Sequence, residues 1–551
     1  MYESKKIGNV VLDYRFYSQN NYYSDGDIEE VLLDAAKNNY MDKLLLSSNN
    51  WAVLYHCSDI RENLLEWYPF KKEGSLLEIG SGCGALTGLF ARKVKSVTCI
   101  ELSERRSMIN AYRNKKYDNI KIMLGNFQDV EITEKYDYIT LIGVWEYAGY
   151  YISGEEPYLN MLKTLKRYLK EDGKLLIAIE NKTGLKYWNG AVEDHTGKIY
   201  SGLNDYIGEK KVRTFSKQEI EKTLSEVGFH SYKFYYPNPD YKLPDTIYSD
   251  EKLPEPGEIR NYRKDYNAPR MYNFNDAVVA DQICDDGMYS YFANSFLVEC
   301  GKECAEVVYA KYSRMRKEKY RIATIISKEG ENYRVHKKAL NCKAEEHINS
   351  LLNHSIGDFN NLQFVNGELL KGEYRMELIK GQSLDLFFYQ YRNNTNEFIY
   401  HAKEIMERYL LDSCQEFVTF YMTPEYESLF GTTYVADAKC LKCTNVDLIF
   451  SNLILSKDQR VYCIDNEWVF NFPIPFEFSI WRAMSQLYSK YISYLKNNIS
   501  RNDFLIRVGL NQEHFEIYEK MEKSFSENII GTDYRKNYRK SIMTMNVNMF
   551  S

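Results

Sequence analysis

The stretch Leu76-Leu77-Glu78-Ile79-Gly80-Ser81-Gly82-Cys83-Gly84 is the most informative part of the first half of this chain. Its apolar beginning predicts a buried strand, and the glycines that follow let the backbone turn tightly and approach a ligand closely. The helix predicted after Gly84 would point its N-terminal amides at that ligand. Dinucleotide-binding enzymes use similar loops, so the loop alone leaves the ligand open.

Strand and helix patterns alternate after this loop. Helical stretches separate five predicted strands, which are Leu76–Gly80, Ser96–Glu101, Ile120–Leu124, Tyr138–Gly143 and Lys174–Glu180. Two more predicted strands follow, Tyr232–Tyr236 and Ser295–Cys300. This alternation predicts the α/β class, with a parallel sheet that helices cover on both faces.

Polar residues at the ends of these strands indicate what the ligand carries. Glu78 precedes the glycine loop, where a carboxylate can bind an amino group. Glu101 ends the second strand, where a carboxylate can accept hydrogen bonds from two ribose hydroxyls. Asn126 and Phe127 follow the third strand, where an amide can reach an adenine edge and an aromatic ring can pack on it.

Together these residues resemble the class I S-adenosylmethionine-dependent methyltransferases over roughly residues 50–300. The resemblance implies a Rossmann-like seven-stranded sheet that ends in an antiparallel pair of strands, and S-adenosylmethionine as the cofactor. It assigns cofactor binding to Glu78, Gly80, Gly82, Gly84, Glu101, Asn126 and Phe127. The family usually has Asp where this chain has Asn126, but an amide can still hydrogen-bond the adenine amino group.

The acceptor is expected where the fourth and fifth strands end. Glu146, Asn181 and His195 follow these strand ends and are candidates to shape the acceptor pocket, with Glu146 and His195 as predicted catalytic residues. His195 would act as a general base for a hydroxyl acceptor, and the alternative is a hydrogen-bonded structural histidine in a turn. Methyl transfer depends mainly on proximity and alignment, so the chemistry does not require a base. Residues 237–290 are interpreted as a lid-like insertion, with a plain surface loop as the alternative.

A different pattern begins after Gly301, the predicted domain boundary. Asp447 and Asn452 are five positions apart and precede an apolar strand, and Asp465 ends the next strand. This order resembles small-molecule kinases of the aminoglycoside and choline phosphotransferase type. The resemblance implies that Asp447 orients an attacking hydroxyl while Asn452 and Asp465 hold Mg²⁺ on the phosphates of ATP. Strand alternation selects Lys337 as the nucleotide-binding lysine.

Glu345 or Glu346, on the helix that follows Lys337, is the expected partner of that lysine. Other parts of the second domain depart from the kinase pattern. Asn445-Val446 stands where kinases have His-Arg, and no G-x-G-x-x-G motif lies between the first two strands. The basic run 313–319 would cover phosphates or form a solvated loop. The predicted α+β kinase-like domain is therefore either an active phosphotransferase or a pseudokinase that serves binding or assembly.

These patterns predict four parts: a helical N-terminal segment over 1–70 that packs on the methyltransferase, the methyltransferase domain over 71–300, a kinase-like domain over 301–500 and a helical C-terminal extension over 501–551. This arrangement resembles bifunctional methyltransferase–kinases of bacterial surface-polysaccharide biosynthesis. It implies a saccharide or lipid-linked saccharide acceptor, phosphorylation of the same acceptor, and glycosyltransferases of that pathway as partners. The alternative is a non-catalytic assembly protein.

Composition narrows the function classes further. A net charge of −6 on 551 residues argues against a broad basic surface for nucleic acid. The N-terminus lacks an apolar segment behind its basic residues, and no window approaches the length of a membrane-spanning helix. The 11 scattered cysteines are typical of reduced, buried thiols. The expected location is the cytoplasm, extending to the inner face of the membrane for a lipid-linked acceptor.

Overall fold

A computed structural model of the chain describes residues 4–18, 25–209, 211–260, 272–353, 359–411 and 417–531. These residues form two compact units. Unit 1 contains the described residues up to 254 and from 260 to 311, and unit 2 contains residues 255–259 and the described residues from 312 onward. Among the described helices, none is long and apolar enough to cross a membrane.

The strands of unit 1 form one sheet. They are β1 (Ser4–Ile7), β2 (Val10–Asp13), β3 (Ser75–Ile79), β4 (Ser96–Glu101), β5 (Ile120–Leu124), β6 (Tyr136–Ile142), β7 (Leu169–Glu180), β8 (Tyr232–Asn238), β9 (Thr246–Ser249), β10 (Ser295–Cys300) and β11 (Val307–Tyr312). Their order is β1-β2-β5-β4-β3-β6-β7-β10-β8-β9-β11. The strands β3 to β7 pair in parallel, and β10 is antiparallel to both β7 and β8. The predicted Rossmann-like seven-stranded sheet is therefore confirmed as the part from β5 to β8.

Helices cover this sheet. They are α1 (Ile28–Lys37), α2 (Met41–Ser47), α3 (Trp51–Cys57), α4 (Thr87–Lys93), α5 (Glu104–Arg113), α6 (Ala148–Tyr151), α7 (Pro157–Arg167), α8 (Leu185–Trp188), α9 (Lys217–Val227), α10 (Asp276–Asp285) and α11 (Tyr289–Phe292). Their ends follow local chemistry. The side chains of Ser216 and Glu219 form a capping box at the start of α9, and Gly228 ends that helix with a φ of +84°.

Three sequence expectations differ from the structure of unit 1. Residues 4–13 form a hairpin, and not a helix, because β2 completes the sheet edge next to β5. The compact unit continues past Gly301 through β11, which pairs with β9. The segment 237–290 supplies part of β8, β9 and α10, so much of it is built into the domain; its residues 261–271 lie outside the described residues.

Unit 2 is a mixed α/β unit with short strands. They are β12 (Ile322–Glu329), β13 (Asn332–Ala339), β14 (Leu362–Phe364), β15 (Glu368–Leu370), β16 (Glu373–Glu377), β17 (Gly381–Ser383), β18 (Val418–Thr419), β19 (Lys439–Leu441), β20 (Thr444–Asn445), β21 (Leu453–Ser456), β22 (Val461–Cys463), β23 (Val469–Phe470) and β24 (Ile474–Pro475). β12, β13, β16 and β15 pair in that order, and a second sheet has the order β14-β22-β21-β17.

The described residues of unit 2 form eight α-helices, and all of them except the first contribute to one core. They are α12 (Glu345–Ser350), α13 (Leu384–Phe387), α14 (Thr395–Met406), α15 (Pro424–Phe430), α16 (Phe476–Lys490), α17 (Ile492–Leu495), α18 (Arg501–Arg507) and α19 (Phe515–Ile529). Phe504, Phe515 and Phe525 belong to the same buried cluster as Phe398 and Trp481. Residues 501–529 are therefore part of this unit rather than a separate extension, and residues 532–551 lie outside the described residues.

Candidate active sites

The glycine loop of unit 1 connects β3 to α4. Gly80, Gly82 and Gly84 have φ values of +65°, +53° and +74°, a region that residues with a Cβ rarely adopt. A Cβ on Gly80 would press against Val144, and one on Gly84 against Asn110, so these two glycines are needed for packing. A Cβ on Gly82 would meet nothing within 4 Å. Gly82 therefore borders open space, as expected where a ligand approaches the backbone.

That space is a cavity of about 390 Å³ at the carboxyl ends of β3, β4, β5 and β6. Six of the seven predicted S-adenosylmethionine-binding residues line it. The seventh, Gly84, packs against Asn110 instead. The predicted acceptor residues Glu146 and His195 line the same cavity. One cavity thus joins the predicted cofactor and acceptor sides, which is the arrangement that transfer between two bound molecules requires.

The two strand-end carboxylates are held in position by neighbouring residues. Glu101 accepts hydrogen bonds from the backbone N–H groups of Gly82 at 2.8 Å and Ser103 at 2.9 Å. Glu78 accepts one from the Thr87 hydroxyl at 2.6 Å. Burial raises the pKa of Glu78 to about 7, so its charge depends on pH near neutrality. Both Glu78 and Glu101 line the cavity.

Asn126 and Phe127 form another part of the wall. The Asn126 side chain donates to the carbonyl oxygen of Tyr151 at 3.1 Å and accepts from the backbone N–H of Gln128 at 3.4 Å, and the residue lines the cavity. Phe127 is buried and contacts Tyr168 edge to face at 6.4 Å between ring centroids. An amide oxygen beside an apolar ring suits the amino edge and face of an adenine.

Residues before β3 complete the cavity, and sequence reasoning missed them. Asp25, Tyr55, His56 and Arg61 all line it. Arg61 is 4% exposed and its guanidinium lies 4.4 Å from the centre of the Tyr55 ring. Within the described part of the chain, the Nε of Arg61 has no hydrogen-bond partner. A buried, cavity-lining guanidinium with a free donor suits an anionic group such as an amino-acid carboxylate. No local sequence signal marks this arginine.

The acceptor wall consists of Glu146 after β6 and His195 in a turn, which line the cavity, and of Glu180 at the end of β7, which is fully buried and contacts His195. The His195 imidazole contacts the Tyr147 hydroxyl through Nδ1 at 2.8 Å and Glu180 through Nε2 at 3.2 Å. Burial opposes charge on His195, but the Glu180 carboxylate raises its pKa to about 9. Burial raises the pKa of Glu146 to about 8. The general-base role of His195 stays a prediction, since both of its nitrogens are engaged here.

A second layer of charge surrounds this wall. Lys242, from the segment after β8, contacts Glu180 and lies 3.2 Å from Asp194. Lys186 on α8 lies 2.6 Å from Asp194. Burial opposes ionisation of Glu180, but Lys242 and His195 hold the pKa of Glu180 well below its usual range. Lys242 was also missed from the sequence, because it lies in the segment interpreted as a loop or lid.

Asn181 does not belong to the cavity wall, in contrast to the expectation from its position. It is fully buried and donates to the carbonyl oxygens of Tyr291 and Ala293, each at 2.8 Å. Its oxygen accepts from Thr183. The side chain therefore ties the end of β7 to the segment before β10, and its role is structural.

A family model described as a methyltransferase domain matches residues 52–232, the stretch that contains the glycine loop and most of the cavity wall. Residues 52–232 form a class I S-adenosylmethionine-dependent methyltransferase domain. S-adenosylmethionine is its methyl donor. The open space at Gly82, the strand-end carboxylate of Glu101 and the Arg61 Nε, which has no hydrogen-bond partner in the described part of the chain, all fit that molecule.

Curated relatives match the same region. An uncharacterised methyltransferase of Staphylococcus carnosus (strain TM300) is 29% identical over 134 residues, which is 24% of this chain and 60% of that protein. This chain thus spans about three fifths of that relative's length. An uncharacterised methyltransferase of Alkaliphilus oremlandii (strain OhILAs) is 27% identical over 187 residues, 32% of this chain and 83% of that protein. Among solved structures, the N-methyltransferase NodS from Bradyrhizobium japonicum WM9 is 12% identical with a TM-score of 0.27, over 49% of this chain and 100% of that one.

Unit 2 brings most of its predicted site residues together. Lys337 is 4% exposed, and its ammonium lies 2.6 Å from Asp465 and 4.0 Å from Glu467. The Asn452 side chain donates to the backbone carbonyl of Asp447 at 3.1 Å, and the Asn452 backbone carbonyl accepts from the residue before Asp465. The four predicted residues of this unit therefore belong to one connected cluster.

The partners within this cluster differ from the expected ones. Glu345 and Glu346 are exposed, and neither pairs with Lys337; their helix α12 instead contributes His347, which lies 2.7 Å from Glu467. Arg316 from the basic run contacts Glu467 as well, and Arg482 contacts Asp447. Next to Lys337 and Tyr374, the described cavity has a volume of only about 10 Å³.

Proposed function

We propose that this chain transfers a methyl group from S-adenosylmethionine to a hydroxyl group of a saccharide or lipid-linked saccharide, a precursor of a bacterial surface polysaccharide. The observation that carries this proposal is that Glu146 and His195 line the same cavity as the predicted cofactor residues, with the buried Glu180 in contact with His195. Bound S-adenosylmethionine supplies an electrophilic methyl group on a sulfonium. The protein holds the acceptor oxygen in line with that group and accommodates the hydroxyl proton at the polar wall.

Three exposed aromatic side chains of unit 1, which lie outside the residues that line the cavity, support a saccharide acceptor as a stacking surface. Trp188, Tyr200 and Tyr291 are 47%, 37% and 56% exposed. Hydrogen bonds connect these three residues. Asn273 donates to the backbone of Trp188 and to the Tyr200 hydroxyl. Thr183 donates to the backbone carbonyl of Tyr291, and its own backbone carbonyl accepts from the Trp188 indole. Exposed rings with polar edges are the surfaces on which amphipathic ligands stack. Lys186, on the same helix as Trp188, lies 2.6 Å from Asp194, which lines the cavity.

Mass spectrometry of candidate saccharides incubated with the full chain and S-adenosylmethionine tests this proposal. We expect a mass increase of one methyl group, and a rate that falls by roughly 10²–10⁴ in His195→Ala while cofactor affinity is unchanged. His230→Ala, an exposed histidine of the same unit, is the matched control and should keep the wild-type rate. Saccharides of several classes that all stay unmodified, while another acceptor class is methylated, would contradict the saccharide assignment.

A second activity, phosphorylation of the same acceptor by unit 2, is favoured by the buried Lys337–Asp465 pair beside Asn452 and Asp447. In this proposal Asn452 and Asp465 hold Mg²⁺ on the phosphates of ATP, and Asp447 orients the attacking hydroxyl. Two observations support the alternative of a pseudokinase for binding or assembly. The cavity beside Lys337 has a volume of only about 10 Å³, and Asp447 forms an ion pair with Arg482.

Thermal-shift titration separates these two forms of unit 2. An active phosphotransferase should show a rise in melting temperature with Mg-ATP at millimolar concentration, and transfer of the γ-phosphate to the acceptor that the methyltransferase uses. Mg²⁺ alone and ATP with chelator are the controls. A protein that neither ATP nor GTP stabilises would exclude the phosphotransferase and leave unit 2 as a pseudokinase or a unit of another kind.

A further inference from the structure

Three side chains of the acceptor wall converge on one point. Glu146, Glu180 and His195 each offer one oxygen or nitrogen atom, and these atoms lie within 4.8 Å of one another. All three side chains are at most 6% exposed. One imidazole and two carboxylates are a ligand set that proteins use for divalent transition cations.

We propose that Glu146, Glu180 and His195 hold a divalent cation of the Mn²⁺ or Zn²⁺ class beside the cofactor cavity, and that two adjacent oxygen atoms of the acceptor complete its coordination. The acceptor part of this statement rests on the proposed function, because it places the acceptor in the same cavity. A saccharide with neighbouring hydroxyl groups provides such a pair of oxygens. The cation-binding part stands on the geometry of the three side chains.

Glu146 supplies the first independent argument. It is 1% exposed, and neither of its carboxylate oxygens accepts a hydrogen bond in the described part of the chain. A buried carboxylate without a partner is costly, and native proteins rarely keep one without a function. Glu146 lines the cavity, so its missing partner would have to lie in the cavity or in the triad. A cation bound there would satisfy it.

The surrounding contacts supply the second argument. The Nδ1 atom of His195 contacts the Tyr147 hydroxyl at 2.8 Å, while Nε2 faces Glu180. One oxygen of Glu180 contacts Lys242, and the other faces His195. Metal-binding histidines and carboxylates usually have their remaining polar atoms held by such outer partners, which fixes the atom that binds the metal. Tyr147 and Lys242 fill these outer positions here.

Binding of Mn²⁺ to the metal-free protein tests this site directly. The full chain carrying Asp465→Asn, which removes the Mg²⁺ position proposed in unit 2, is stripped with chelator and titrated with Mn²⁺. Electron paramagnetic resonance of free Mn²⁺ should report one bound equivalent. Glu146→Gln and His195→Ala, each in that background, should weaken binding at least tenfold. Glu134→Gln, an exposed carboxylate of the same unit, is the matched control and should bind as the parent does.

Calorimetry with S-adenosylmethionine verifies that each variant is folded. The proposal is overturned if the parent protein binds neither Mn²⁺ nor Zn²⁺ below millimolar concentration, or if both triad variants bind Mn²⁺ like the parent. Failure of the metal site is distinguishable from failure of the proposed function. If chelator-treated protein methylates a saccharide, the role of the cation is contradicted but the proposed methyl transfer is not. If the protein binds the cation but methylates no saccharide, the cation site is supported and the saccharide acceptor is contradicted.

Discussion

At the scale of single residues, the cofactor site combines side chains with different roles. Glu101 is held by two backbone N–H groups, and we expect it to bind the ribose. Arg61 also lines the cavity, its Nε has no hydrogen-bond partner among the described residues, and we expect it to bind the amino-acid carboxylate of the cofactor. These roles concern different parts of S-adenosylmethionine, so substitutions can separate them.

Arg61→Ala should weaken binding of S-adenosylmethionine by roughly 10- to 150-fold, the loss of about 1.5–3 kcal/mol expected for a charge-assisted hydrogen bond. Binding of methylthioadenosine, which lacks the amino-acid carboxylate, should change little. Glu101→Ala should weaken both ligands by about 1–3 kcal/mol, because both carry the ribose. Isothermal calorimetry measures these affinities. Equal losses for the two ligands in Arg61→Ala would show that the arginine acts only on the structure of the wall.

The pKa of about 7 at Glu78 predicts a pH-dependent affinity. Below pH 7 the carboxyl group of the free protein is protonated and cannot pair with the ammonium group of the cofactor. Affinity for S-adenosylmethionine should therefore fall roughly five- to tenfold from pH 7.5 to pH 6. The raised pKa also means that the contribution of Glu78 to the stability of the free protein declines as pH rises from about 4.5 to 7.

Glu78→Gln provides the control, since an amide does not titrate. Its affinity should be lower than that of the wild type at pH 7.5 and nearly constant between pH 6 and 7.5. Calorimetry across this range in buffers of matched ionic strength measures both proteins. A wild-type affinity that does not change with pH would contradict the pairing of Glu78 with the amino group.

At the scale of elements, the glycine loop serves two purposes within five residues. Gly80 and Gly84 permit close packing against Val144 and Asn110, while Gly82 leaves space for the ligand. All three have positive φ, so any side chain adds backbone strain of about 1–2 kcal/mol at each position. The difference between the positions lies in what the added atom would meet.

Gly84→Ala should lower the melting temperature clearly, because strain and a clash with the Asn110 side chain add together. Gly82→Ala should lower it less but weaken S-adenosylmethionine binding more than tenfold, since its Cβ enters the ligand space. Differential scanning fluorimetry and calorimetry measure the two effects. The loop assignment would be contradicted by a folded Gly82→Ala protein that binds the cofactor as the wild type does.

At the scale of the whole molecule, each unit carries its own cluster of chemical side chains. The cofactor cavity is lined by residues from 25 to 242, and the Lys337 cluster is built from residues between 316 and 482. Lys337→Met should therefore remove the stabilisation by Mg-ATP that an active unit 2 would show, while S-adenosylmethionine affinity stays within twofold of wild type. A nucleotide-dependent shift that survives in this variant would exclude Lys337 as a phosphate-binding residue.

The amino-acid sequence by itself determined the core of the methyltransferase domain. Buried strands of five to seven residues, the glycine loop and the carboxylates at strand ends are local signals, and parallel strands bring their carboxyl ends to one edge of the sheet. Because of that geometry, the order of strands and strand-end residues was sufficient to assign Glu78, Glu101, Asn126 and Glu146 to one cavity. Order along the chain likewise placed Asp447, Asn452 and Asp465 in one cluster of unit 2.

Tertiary structure alone decided which distant residues complete the sites. Arg61 and Lys242 reach the cavity from segments outside the strand–helix pattern. A single charged residue has no hydrophobic periodicity from which its position in the fold could be predicted. Asn181 occupies a strand end like Glu180, yet its side chain turns to the backbone near β10, because alternate residues of a strand face opposite sides. Partner choice among buried charges depends on distances that local sequence does not encode. Lys337 therefore pairs with Asp465, while the α12 carboxylates Glu345 and Glu346, which are nearer to it in the sequence, remain exposed.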